Sequence, residues 1–230
     1  MRNIAAVFYK QIKDTLKNKT VLIQFLMFPV MTVVMNNAMK IENMPENFFT
    51  ELFSVMYLGM APLVSSASIV SEGKEKGTLR ALFMAGVKPS EYLLGAGGYI
   101  WAGCMAGSLI MVFFGNYTAG RILFFLLIMA LGIFFSLIFG TCIGIASRSQ
   151  MAAVSLSVPL MMVLSFLPML AMFNHTVEIV ANFIYTQQLQ VLLSGGTCGM
   201  IKTESWLILA GNGFLALFLF AFIYKKNGLE

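Results

Sequence analysis

The sequence predicts an all-α membrane protein with six transmembrane helices, on three observations. Of its 230 residues 59% are hydrophobic and only 11% charged. Soluble domains carry roughly 25% charged residues, so no sizeable soluble domain fits, and a single transmembrane domain over 1–230 is expected. Six charge-free stretches, 21–39, 52–70, 92–114, 122–146, 152–173 and 206–224, are each long enough to cross about 30 Å of hydrocarbon as a helix. The basic residues also segregate: Arg2, Lys10, Lys13, Lys17, Lys19, Lys74, Lys76, Arg80, Lys88, Arg148, Lys225 and Lys226 fall on one side of a six-span chain, and only Lys40, Arg121 and Lys202 on the other. By the positive-inside rule the richer side is cytoplasmic, and the even span count puts both termini there. The net charge of +5 therefore needs no nucleic acid to explain it.

Residues 2–17, within an N-terminal segment 1–19, form a basic amphipathic stretch. Ile4, Val7, Phe8, Ile12 and Leu16 share one face, opposite Arg2, Lys10, Lys13 and Lys17. Such a helix lies in the membrane interface. A signal peptide is the rival reading, but no small-residue cleavage site follows the apolar run at 21–35.

Within the spans, Pro29, Pro62, Pro159 and Pro168 each remove a backbone hydrogen bond and favour a kink. Gly132, Ser136, Gly140 and Gly144 recur every four residues in span four, with Gly103 and Gly107 in span three. Small residues so spaced let helix backbones approach closely, within one subunit or between two. The polar residues Gln24, Asn36, Asn37, Ser65, Ser66 and Ser157 either face a passage between two subunits or bond neighbouring helices. The first outer loop is acidic through Glu42, Glu46 and Glu51. Segment 174–205 is partly apolar, but Glu178, Asn182, Gln187, Gln188 and Gln190 argue against a full crossing. Short helices dipping into the outer leaflet fit it better, with turns at Gly195, Gly196 and Gly199.

Between spans two and three runs SEGKEKGTLRALFMAGVKPSEYLLG, Ser71 to Gly95. Leu79, Leu82, Phe83 and Val87 recur at helical spacing, and Glu72 precedes Lys76 by one turn, the favourable order for an ion pair. The pattern predicts an amphipathic helix over 72–90, with Pro89 and Ser90 stopping it and starting the next.

Several chemistries have no residues to carry them. There is no GxxxxGK[ST] loop for ATP and no convergent Ser/His/Asp or Cys/His set. The one histidine, His175, stands alone, and Cys104, Cys142 and Cys198 lack metal-type spacing. No Asp, Glu, Lys, Arg or His lies deep in a span, where ion-coupled carriers usually need them. A driving force, if there is one, comes from another polypeptide.

The stretch after span two resembles the corresponding loop of ABC-2-type permeases, the membrane subunits of ATP-driven exporters. The resemblance rests on the acidic-basic run Glu72 to Lys76, Gly77-Thr78-Leu79, the apolar Leu82, Pro89, and Leu94-Gly95 at the head of span three. It implies a cytoplasmic coupling helix that sits in a cleft of an ABC ATPase, with Glu72, Glu75, Lys76 and Arg80 as its charged groups. Glu72, Glu75 and Arg80 would orient it by ion pairs. Gly77 and Thr78 would permit a turn or close approach, and Leu79, Leu82 and Phe83 would fill a pocket or pack back onto the bundle. It further implies re-entrant helices before span six and an N-terminal helix that helps embrace the ATPase. It also implies two ATPase copies carrying ATP and Mg, with no cofactor on this chain, and a second permease, identical or related. A hydrophobic drug, peptide or lipid-like cargo would be moved outward across a cell membrane. The alternative is a non-transporting membrane scaffold or an immunity protein that sequesters a toxic peptide.

Overall fold

The computed structural model describes residues 2–17, 19–38, 47–115, 117–195 and 203–229. The outer-loop residues Lys40, Glu42 and Glu46, the turn glycines Gly196 and Gly199, and Cys198 and Lys202 lie outside them. The described residues form ten α-helices and no strand: α1 (Arg2–Lys17), α2 (Lys19–Ala38), α3 (Phe48–Glu75), α4 (Thr78–Met84), α5 (Pro89–Phe113), α6 (Ala119–Ala146), α7 (Gln150–Ala171), α8 (His175–Ala181), α9 (Tyr185–Ser194) and α10 (Thr203–Asn227). Six of them, α2, α3, α5, α6, α7 and α10, are long and apolar enough to cross a membrane.

The bundle is arranged around α3. Its span is 89% buried inside the chain, against 17% for α10, and it touches α2, α4, α5, α6, α7 and α9. At 1.5 Å per residue it is about 42 Å long, so it outreaches the hydrocarbon. It starts before the expected 52 and runs past 70, through Gly73, to Glu75, where the left-handed Gly77 stops it.

The small-residue stripe of α6 lies against α3. A side-chain carbon at Gly144 would sit 2.8 Å from Val70 Cβ, and one at Gly140 would overlap the Leu63 carbonyl. One at Gly132 would meet Leu58 Cδ1 at 2.7 Å. The stripe is thus used within the chain. In α5, Gly107 faces Tyr57 and Pro29, and Gly103 faces Phe25.

The helices continue through their prolines. Pro62 has no N–H for the Leu58 carbonyl four residues earlier. That carbonyl takes the Ser136 hydroxyl of α6 at 2.5 Å. Ser136 has one proton, so the Tyr185 hydroxyl, 2.6 Å away on α9, donates to it. Likewise Pro29 frees the Phe25 carbonyl of α2, and the Tyr57 hydroxyl of α3 donates to it at 3.1 Å. In a bilayer no water reaches such groups, so neighbouring helices must satisfy them.

α1 packs on the first turns of α5. Val7 is buried against Gly95, where a Cβ would lie 2.8 Å from Val7 Cβ, and Asn3 Nδ2 donates to Glu91 Oε2 at 3.0 Å. The inward face of α1 is Val7, Gln11 and Thr15, flanked by Ile4, Phe8 and Ile12. Leu16, expected on that face, is 69% exposed and lies outward with Tyr9 and Lys13. Lys13 Nζ sits 4.7 Å over the Tyr9 ring. The face is set by the α5 surface it meets, which admits the short polar Gln11 and Thr15.

Tyr57→Phe should destabilise the detergent-solubilised protein by about 1–3 kcal/mol, because it leaves the Phe25 carbonyl unpaired. In a Pro29→Ala background the same change should cost clearly less, since the backbone amide restored at that position then serves the carbonyl. Chemical denaturation of the four variants checks the cycle.

Candidate functional site

The polar end of α3 and the short helix after it form a charged, largely exposed feature. The Lys76 amide donates to Glu72 O at 3.0 Å and the Gly77 amide to Lys74 O at 3.0 Å. Gly77 has φ +65°, which halts α3, and nothing lies close to it. Of the two roles expected for it, the turn is the one it performs. α4 then runs for seven residues, Thr78–Met84.

α4 ends at Gly86, φ +87°, earlier than the expected stop at Pro89. The Val87 amide donates to Leu82 O at 3.1 Å and the Gly86 amide to Phe83 O at 3.0 Å, a complete Schellman pair. Pro89 opens α5, as expected, with Glu91 Oε2 accepting the Lys88 N–H at 2.9 Å. Glu72 and Glu75 therefore belong to α3 and Lys76 to the turn, while Thr78, Leu79, Arg80, Leu82 and Phe83 belong to α4. The expected single helix over 72–90 is three pieces, divided by two left-handed glycines.

The apolar residues of α4 fold back on their own chain. Leu79 is buried, and Leu82, Phe83 and Val87 are half-buried against the same core. Gly73 makes room: a Cβ there would stand 3.1 Å from Leu79 Cγ and 3.0 Å from the Tyr92 hydroxyl. Of the two roles expected for Leu79, Leu82 and Phe83, packing onto the bundle is the one observed. The outward face is Arg80, Ala81, Met84 and Ala85, with Met84 82% exposed. Sequence periodicity passed over Met84 because it does not belong to the apolar stripe.

Beside α4 opens a cleft of about 690 Å³ between α1, the end of α3 and the start of α5. Lys10 and Asp14 pair at 2.9 Å on its α1 wall, and Lys76 pairs with Glu72 on its α3 wall. The Glu72 carboxylate pushes Lys76 above the ordinary lysine range. Gln11, Thr15 and Tyr92 line the cleft between the two pairs. The resemblance implied that the N-terminal helix shares in the ATPase contact; that Lys10 and Asp14 line one cleft with Glu72 and Lys76 was not legible, since some 60 residues of sequence separate Asp14 from Glu72.

Two of the charged residues face elsewhere. Glu75 Oε2 accepts the Gln150 amide of α7 at 2.7 Å, and Lys74 Nζ donates to the Ile145 carbonyl of α6 at 2.8 Å. Of the expected orienting ion pairs, the described residues contain only that of Glu72, with Lys76. Arg80 is exposed.

The polar residues of the spans are spread through the bundle. The Ser65 hydroxyl donates to Gln24 Oε1 at 3.1 Å, beside an apolar groove of about 240 Å³ between α2, α3 and α7 that Gln24, Met27, Met60 and Met161 line. Ser66 and Ser157 are buried and bond carbonyls of their own helices, Leu63 and Ala153. Asn36 Nδ2 donates to Thr50 Oγ1 at 2.8 Å, and Asn37 Nδ2 to Val33 O at 2.8 Å. Of these six residues, only Gln24 lines that groove, and its partner Ser65 is buried.

Six membrane-crossing helices, with a short exposed helix between the second and third, are the layout of a transporter's membrane subunit. The chain belongs to the ABC-2 transporter family: the sequence model of that family, described as ABC-2 family transporter protein, matches residues 2–224. It is therefore a multi-pass membrane protein, the membrane component of a transporter whose general partner is an ABC ATPase. Comparison with curated individual proteins gives no significant match.

Gly86→Val should raise hydrogen exchange across Thr78–Met84, because a β-branched residue resists the left-handed conformation by about 1–2 kcal/mol. Gly86→Asn should raise it less, since Asn tolerates that region, and mass spectrometry of peptic fragments compares the two.

Proposed function

We propose that this chain is the permease of an ATP-driven exporter, and that α4 is the helix through which the ATPase moves it. The observation that carries this reading is the outward face of α4. Arg80 and Met84 stand on a seven-residue helix whose other face is anchored in the bundle and whose two ends are set by left-handed glycines. A helix so held moves as a unit with the spans beside it. Arg80 supplies charge recognition and Met84 a deformable apolar anchor for a pocket on the partner. The cleft between α1 and Glu72–Lys76 takes a second element of the same partner.

The excess of Lys and Arg at the α4 end supports a cytoplasmic location for that end and for both termini of the described chain. α1 would lie at the cytoplasmic interface, with Tyr9, Lys13 and Leu16 turned to the bilayer. α8 and α9, of seven and ten residues, are too short to cross about 30 Å, and would dip in from the outer side before α10. Two permeases, identical or related, would pair above two ATPases that carry ATP and Mg. Gln24 with the methionines of the α2/α3/α7 groove would meet a hydrophobic drug, peptide or lipid-like cargo. Transport requires that ATP binding favour one arrangement of the spans over another by differential contact.

Met84→Asp and Arg80→Glu should each reduce recovery of the ATPase that co-purifies with the unaltered chain at least several-fold, while thermal unfolding of the permease alone stays unchanged. Undiminished recovery with both variants would refute α4 as the docking helix. A Met84→Cys label should react from the cytoplasmic side only, in inverted vesicles and not in intact cells.

A further inference from the structure

The last turn of α3 carries two charges that α4 does not use, and both reach the α6–α7 turn. Lys74 Nζ donates to the carbonyl of Ile145, one of the terminal carbonyls of α6 that lack a partner within the helix. Glu75 Oε2 accepts the amide of Gln150, the first residue of α7. The Gln150 side chain returns to α3, its Nε2 donating to Ser68 Oγ at 2.8 Å. Each charge matches the helix end it touches: a cation at the C-terminus of α6, a carboxylate at the N-terminus of α7. Both bonds are charge-assisted, the stronger kind.

We infer that Lys74 and Glu75 are positioning residues, a latch that hands the displacement of α4 to α7 through the α6–α7 turn. This rests on the reading of α4 as the ATPase's point of attack. Glu75 is only three residues from the start of α4, so a push on α4 arrives at the latch before it spreads along α3. α7 then carries it to the groove it shares with α2 and α3, where Val154, Val158 and Met161 form one wall. Glu75 thereby acts inside the chain, and the partner's surface is read by Arg80 and Met84.

The latch can be cut from either side. Glu75→Ala removes the acceptor. Gln150→Pro removes the donor, and proline is well suited to the first position of a helix. Ser149 before it is already extended, φ −140° and ψ 159°, as a residue preceding proline must be. Nitroxide labels at Lys88, which follows α4 and is not one of the docking residues, and at Leu156, both exposed, report the separation of the α4 end from α7 within one chain. The native cysteines are first replaced, and each complex holds one labelled copy diluted among unlabelled chains.

In the unaltered complex with its ATPase, the separation should hold when ATP and vanadate are added. In Glu75→Ala and in Gln150→Pro it should shift and broaden on the same addition, with the ATPase still bound, and the double variant should be no worse than either. If Glu75→Ala loses the ATPase while Gln150→Pro keeps it, Glu75 is a docking contact and the latch is wrong. If both variants hold the separation as the unaltered chain does, the latch is equally wrong. Failure of the docking reading shows separately, as an ATPase that stays bound to Met84→Asp.

Discussion

The structure depends on how closely α3 and α6 approach. At Gly140 and Gly144 no side-chain carbon would fit against the α3 backbone, at Gly132 one would meet the Leu58 side chain, and at Ser136 a hydroxyl bridges the two helices. The bridge falls where Pro62 leaves a carbonyl of α3 without its helical partner. One contact thus answers two demands of a lipid environment, which provides neither water for an orphan carbonyl nor a hydrophobic drive to bring helices together. Tyr185 joins the same site from α9, so a short helix that crosses nothing is bonded into the middle of the bundle. With α3 held along its length by α6, and by α7 through Ser165 to the Met56 carbonyl, the other helices arrange themselves around it.

That rigidity gives the α4 end its meaning. Two left-handed glycines make α4 a separate piece, yet Leu79 buried against Gly73 keeps it from swinging free. The charged residues around it divide by direction. Arg80 points outward, Glu72 and Lys76 pair beside the cleft, and Lys74 and Glu75 turn inward to neighbouring helices. Charge near a helix end is read too easily as a surface for partners. Here part of it closes the terminal backbone groups of two other helices.

Length and hydropathy make the six crossings legible, because a bilayer imposes one dimension on every span. The break at Gly77 was not legible in the pattern, which points to one helix over 72–90; a turn there is only one of the two roles the resemblance implies. The stop at Gly86 was readable in principle but was passed over for Pro89, which begins the next helix as expected but does not end α4. What periodicity could not convey is which face of α1 turns inward, since Gln11 and Thr15 are polar and buried by tertiary packing alone. Nor could it convey that Glu75 reaches residue 150, or that Ser136 and Tyr57 serve carbonyls freed by prolines on other helices. Each of these is a contact between segments distant in the chain, and local pattern carries no information about such partners.

The socket of α1 has a consequence for biogenesis. Val7 seats against Gly95, yet α2, α3 and α4 must all be made before α5 emerges from the ribosome. The N-terminal helix, first to be synthesised, is therefore among the later pieces to reach its place. Until then its apolar stripe lacks the surface it packs on, so the timing of translation decides how long that stripe waits uncovered.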